Sequence, residues 1–100
     1  MFMRIWEFRP SAGSEREFER AYGPAGVWAT LFRKHAGYLG TDLLRNVSTP
    51  GQYLTIDRFT SAEAFQTFKL RYADEYDRLD RECEALTAHE RAIGDFTVIA

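Results

Sequence analysis

The chain is poor in cysteine, histidine and proline and has no large excess of either charge. Its 100 residues hold one Cys, two His and three Pro, with 13 Lys+Arg against 15 Asp+Glu for a net charge of -2. Cys83 alone cannot close an internal disulfide, and with only His35 and His89 to join it a structural zinc site lacks ligands. No surplus of positive charge is available to neutralise phosphates, which argues against nucleic-acid binding. No run approaches the roughly 20 apolar residues that cross a bilayer. Met1 to Phe8 show no basic-then-apolar export pattern, so a cytoplasmic protein without a membrane partner is expected. The length suits a single domain, residues 1–100.

Aromatic residues are abundant instead. Eight Phe, five Tyr and two Trp make up 15% of the chain, more bulky volume than a minimal core needs, so some should line a pocket or an interface.

Phe2 to Phe8 alternates with period two and is largely apolar on both faces, which predicts a strand covered on both sides. Pro10 to Gly13 reads as a loop, and Ser14 with Glu17 as a capping box. Phe18, Tyr22, Ala25, Ala29 and Phe32 recur at helical spacing, while Gly23-Pro24 predicts a kink or two short helices. Gly37 suits a left-handed helix stop, with His35 in the last turn. Tyr38 to Asn46 and Gln52 to Phe59 form a hairpin across the turn residues Ser48 to Gly51. Thr60 with Glu63 repeats the capping box before a long helix whose stripe is Phe65, Phe68, Tyr72, Tyr76, Leu79, Cys83 and Leu86. A turn near Gly94 and Asp95 then leads to a final strand, Phe96 to Ala100.

This order is the βαββαβ arrangement of an α+β ferredoxin-like sandwich, with both helices on one face of an antiparallel sheet. The other face, drawn from Phe2, Trp6, Leu39, Leu43, Tyr53 and Ile56 in one phase or another, would expose an apolar patch on a monomer. A homodimer with facing sheets is therefore expected.

The segments Phe18 to Trp28, Leu31-Phe32, Gly37 to Thr41, Tyr53 to Phe59 and Ser61 with Phe65 resemble the antibiotic biosynthesis monooxygenase family of dimeric α+β barrels. The resemblance covers nearly the whole chain. It implies a monooxygenase that oxidises an aromatic, quinol or polyketide-like small molecule without metal or other cofactor. The same resemblance leaves open a noncatalytic dimeric barrel binding an apolar small molecule, and a haem binder or haem-degrading protein.

Cofactor-free oxygenation needs a dry aromatic cavity, a group to take a proton, and donors to hold the resulting oxyanion. Trp6, Tyr22, Phe32, Thr55, Phe59, Phe65 and Phe68 are the candidate substrate-binding residues, with plain core packing as the alternative for each aromatic. Trp28, beside the Gly23-Pro24 break, and Tyr72, with its hydroxyl, join Asp57 as catalytic candidates. Arg4 and Asp42, like Asp57, are charges inside apolar strands and so must be paired, solvent-facing or functional. An unperturbed imidazole suits proton transfer, but for His35 at a helix end a structural role is the simpler reading, and His89 ranks below it. Cys83 falls on the apolar stripe as a small core residue.

The departures from the family pattern also bear on function. Where quinol- and anthrone-oxidising members carry Asn, Trp and Tyr, this chain matches with Thr55, Phe59 and Phe65. Where haem-degrading members carry a Trp and a His on the second helix and an Asn on the first strand, it offers Phe68, Arg78 and Glu7. The resemblance therefore disfavours haem degradation and leaves Thr55, Trp28, Tyr72 and Asp57 for any oxygenase chemistry.

Overall fold

A computed structural model describes all 100 residues. Its elements run β1 (Phe2–Pro10), α1 (Glu15–Tyr22), α2 (Val27–Phe32), β2 (Tyr38–Arg45), β3 (Tyr53–Phe59), α3 (Ala62–Arg71), α4 (Ala73–Cys83) and β4 (Thr87–Thr97), with a short 3₁₀ turn at Glu84–Leu86. The strands form one antiparallel sheet in the order β2-β3-β1-β4. This is the expected α+β ferredoxin-like fold.

The period-two pattern of β1 sends Phe2, Arg4, Trp6 and Phe8 toward the helices. Phe2 stacks on Phe65 at 5.2 Å, and Phe8 meets Phe18 at 5.5 Å. β3 alternates likewise, with Tyr53, Thr55, Asp57 and Phe59 buried and the residues between them half-buried. Phe18, Phe59 and Phe68 are fully buried and anchor an aromatic core between sheet and helices. Offset and edge-on ring contacts join nearly every member of that core, the geometry aromatic pairs favour.

The opposite face carries Met3, Ile5, Leu54 and Ile56, half-buried, with Leu44 and Phe96 exposed. Of the residues expected to supply this face, Ile56 does. Phe2, Trp6, Leu43 and Tyr53 turn to the helices instead. Both faces of β1 are apolar, so its sequence does not say which one points inward.

Gly23-Pro24 does split the first helix in two. The chain turns so sharply that a Cβ on Gly26 would lie 2.3 Å from the carbonyl oxygen of Ala21. Four local expectations are corrected. Ser14 makes no side-chain cap, and the second helix is capped by Ser61 rather than Thr60, its oxygen accepting from the Ala64 N–H. Gly37 has no left-handed backbone; a Cβ there would sit 2.8 Å from that of Ala64, so its role is close approach. α2 ends at Phe32, before His35, whose Nδ1 accepts the Gly37 N–H.

The C-terminal third differs most. The helical stripe bends at Tyr72 into α3 and α4, and β4 starts at Thr87 rather than Phe96. Gly94 is the left-handed point of a β-bulge instead of a turn. Ile5 pairs with Gly94 and Trp6 with Ala92, which leaves Ile93 as the extra residue.

Candidate active site

A cavity of about 250 Å³ opens between the sheet and the helices. β1 contributes Arg4, Trp6 and Phe8, β3 Thr55 and Asp57, and β4 Glu90. The helices contribute Tyr22, Trp28, Phe32, Lys69, Tyr76 and Asp80. Register explains the floor: Arg4 pairs with Asp57, Trp6 with Thr55 and Phe8 with Glu90, so adjacent strands present these side chains on one face.

Asp57 is buried, and loss of hydration pushes its carboxyl from 3.8 up to about 6. Opposing this, the Thr41 hydroxyl donates to Oδ1 at 2.6 Å, and Arg4 and Arg58 favour the charge. The Tyr38 hydroxyl lies 2.6 Å from Thr41 Oγ1, so a short hydroxyl chain ends on Asp57. Arg4 Nη1 donates to Asp95 at 3.2 and 3.3 Å. Its guanidinium lies 5.5 Å from the centre of the Trp6 ring and 5.2 Å from that of Phe65, and its Nε is buried without a partner. Lys69 Nζ rests 3.4 Å from the centre of the Tyr76 ring; burial first, and then the Arg4 charge, push its ammonium below the ordinary lysine range.

The opposite wall differs in character. Trp28 packs edge-on against Tyr76 at 5.0 Å, with its buried Nε1 unpartnered. Burial raises the hydroxyl of Tyr22 well above the ordinary phenol range and that of Tyr76 to about 12, so both remain protonated at neutral pH. Cys83 is likewise pushed up by burial and stays a thiol. Glu90 is raised by burial and by the neighbouring acids Asp80 and Glu84.

Six of the ten candidate residues meet around this space: Asp57, Trp28, Trp6, Tyr22, Phe32 and Thr55. Phe59, Phe65 and Phe68 lie in the core beside it. Tyr72 is not part of the lining; its hydroxyl donates to the Lys34 carbonyl at 3.2 Å. Asp42 is exposed and pairs with Arg58 at 2.8 Å, and neither histidine reaches the cavity. No three His, Cys, Asp or Glu side chains cluster as a metal site would require.

Sequence reasoning missed Phe8, Lys69, Tyr76, Asp80 and Glu90 as lining residues. Lys69 lies one helical turn past Phe65, and Tyr76 two turns past Lys69, spacing that puts all three on one side. Glu90 carries no such signal, because it lies between the end of the helical stripe at Leu86 and the expected turn near Gly94.

The sequence profile of the antibiotic biosynthesis monooxygenase family matches residues 1–70, and the chain belongs to that family. No curated protein sequence matches it. Its fold is similar to that of SnoaB, a cofactor-independent oxygenase from Streptomyces nogalater, at 20% identity and TM-score 0.70 over 99% of this chain and 93% of that one. A variant of MhuD solved with two manganese protoporphyrin IX molecules per active site is 21% identical, with TM-score 0.74 over 100% and 96% of the two chains. PA3566 from Pseudomonas aeruginosa is 19% identical, with TM-score 0.69 over 99% and 94%.

Proposed function

We propose that this protein is a cytoplasmic, homodimeric monooxygenase that oxidises a small aromatic molecule with dioxygen and no cofactor, using Asp57 as its base. The observation that carries the reading is a buried carboxyl, raised by burial to a pKa of about 6, beside a guanidinium on the floor of an aromatic-lined cavity. A base works best when its pKa lies near the operating pH. Asp57 takes a proton from a quinol hydroxyl or an activated methylene, and Arg4 and Thr55 lie next to it to hold the enolate oxygen. The enolate passes one electron to dioxygen, and the two radicals combine in a new C–O bond. Asp57 returns its proton to the peroxide anion, and loss of water from the hydroperoxide leaves a carbonyl, so one oxygen atom is retained and the other departs as water. Trp6, Tyr22, Trp28 and Phe32 wall off the ring and keep solvent from the intermediate.

Family membership and the oxygenase named among its structural neighbours support this reading. A histidine-ligated haem iron is not favoured, because His35 and His89 both lie away from the cavity. A purely apolar binder is disfavoured by the five charged groups in the lining, Arg4, Asp57, Lys69, Asp80 and Glu90. Oxygen uptake over a panel of quinols tests the proposal. Consumption above autoxidation that is lost in Asp57→Asn supports it, and binding without consumption favours a noncatalytic barrel. The dimer is supported by the apolar open face of the sheet.

A further inference from the structure

Thr41 and Tyr38 carry out no step of the proposed oxidation, yet their hydroxyls are joined to its base. Register makes the connection: Thr41 of β2 pairs with Asp57 of β3, and β2 is an edge strand of the sheet. The Thr41 hydroxyl reaches Asp57 Oδ1 at 2.6 Å, the Tyr38 hydroxyl lies 2.6 Å from Thr41 Oγ1, and either of those two hydroxyls can be the donor. Burial decreases along this line, from Asp57 and Thr41, both buried, to Tyr38, which is half-buried. The path therefore runs sideways through the sheet to its edge, while Oδ2 is left for the cavity. The charged neighbours of Asp57 offer no such route, because Arg4 and Arg58 are guanidiniums that give up no proton. Tyr38 lies in the field of Arg33, Asp42 and Asp57, and burial holds its hydroxyl above the ordinary phenol range, so it acts as a neutral hydroxyl.

We propose that Thr41 and Tyr38 relay protons between Asp57 and solvent at the sheet edge, so that the base exchanges its proton while a ligand fills the cavity. This deepens the monooxygenase reading and rests on Asp57 as its base. A seated ring covers Oδ2, and a base already protonated when the ligand arrives is otherwise locked in its inactive form. The outer torsion of an aspartate is soft and nearly two-fold, so a half-turn brings the protonated oxygen to Thr41. Asp57 then gives its proton to Thr41 Oγ1, Thr41 gives its own to the Tyr38 oxygen, and Tyr38 gives its own to water. Each hydroxyl loses one proton and gains one, no electrons move, and the carboxylate is left ionised. Neither hydroxyl touches the ligand; both act through Asp57.

The test uses 2-indanone, a two-ring ketone with acidic methylenes, and needs no oxygen. A cavity of about 150 Å³ holds benzene, and this one, at about 250 Å³, admits the probe. Deuterium entry into saturating probe is followed by NMR in anaerobic deuterated buffer, above the buffer rate, at about pH 8, where Asp57 is ionised. Entry requires that Asp57 take a proton, exchange it and return deuterium, so it should be lost in Asp57→Asn. Thr41→Val should slow it about 10²-fold, the lower end of what a positioned proton-transfer group contributes, and Thr41→Ser should retain it. A merely supporting Thr41 predicts the opposite, because without its donor the carboxylate is the stronger base and exchange would be at least as fast. Tyr38→Phe leaves Asp57 its Thr41 bond and should also slow exchange; it decides alone if Thr41→Val does not fold. Exchange as fast in these variants as in the unmodified protein, exchange that survives Asp57→Asn, or none in the unmodified protein would overturn the relay. Relay-dependent exchange without oxygen uptake from any quinol would uphold the relay and remove the oxygenase, and uptake lost in Asp57→Asn with relay-independent exchange would do the reverse.

Discussion

Asp57 is neutral more readily in the folded chain than in the unfolded one, and this ties the proposed base to stability through one side chain. Its folded pKa of about 6 lies above the ordinary 3.8, so the native state holds the proton more tightly. Stability should therefore fall as pH rises through this interval, by about 3 kcal/mol in all, and stay at the lower level above it. Asp57→Asn should remove that decline and gain in relative stability at neutral pH, as urea midpoints on either side of the interval would show. The same substitution should slow turnover about 10² to 10⁴-fold. In the proposed reaction Thr41 acts through Asp57 as a positioning residue. Thr41→Val should raise the pH midpoint of kcat/KM, because the carboxylate loses its hydroxyl donor, and Thr41→Ser should restore it. Asp57 was legible in the sequence because a charge interrupting an apolar alternation requires an explanation. Arg4 was legible on the same ground. Tyr72 is a candidate for its hydroxyl, yet the bend at that very residue leaves that hydroxyl donating to the Lys34 carbonyl.

At the scale of elements, capping and close approach decide whether the cavity walls stand where they do. Ser61 accepts from the Ala64 N–H at 3.0 Å, so Ser61→Ala should cost about 1 kcal/mol. Ser14→Ala, which removes no cap bond, should cost far less. Thermal melts of the two variants check the contrast. Gly26→Ala would drive a methyl into the carbonyls of Arg20 and Ala21 and should destabilise by about 1 to 3 kcal/mol, disturbing Trp28 two residues on. The first strand, the split helix and the hairpin were readable from alternation, Gly-Pro and turn residues. The C-terminal third was not. Neither proline nor glycine marks the bend at Tyr72, and Glu84 to Ile93 mixes acids, short apolar residues and histidine in a way that does not separate a helix tail from a strand. Glu90 was lost as a lining residue with it.

For the molecule as a whole, the βαββαβ order was enough to give the layer arrangement, while the identity of the outward face needed coordinates. That face holds Met3, Ile5, Leu54, Ile56, Leu44 and Phe96 around a paired Glu7 and Arg91, an apolar surface with a polar edge. Ile56→Asp should convert a dimer of twice 11.6 kDa into a single chain of 11.6 kDa by light scattering. An unmodified protein already at the mass of one chain would remove the facing-sheet dimer. The account of function stands or falls on proton removal by Asp57. The most direct measurement is the pH dependence of oxygen uptake per enzyme, above autoxidation, for a two-ring quinol with the unmodified protein and Asp57→Asn. The account predicts kcat/KM that rises through an apparent pKa of about 6 and then levels, with that rise absent and the rate near background in the variant. Uptake that is equal in the two proteins, or flat across that pH range, would contradict it.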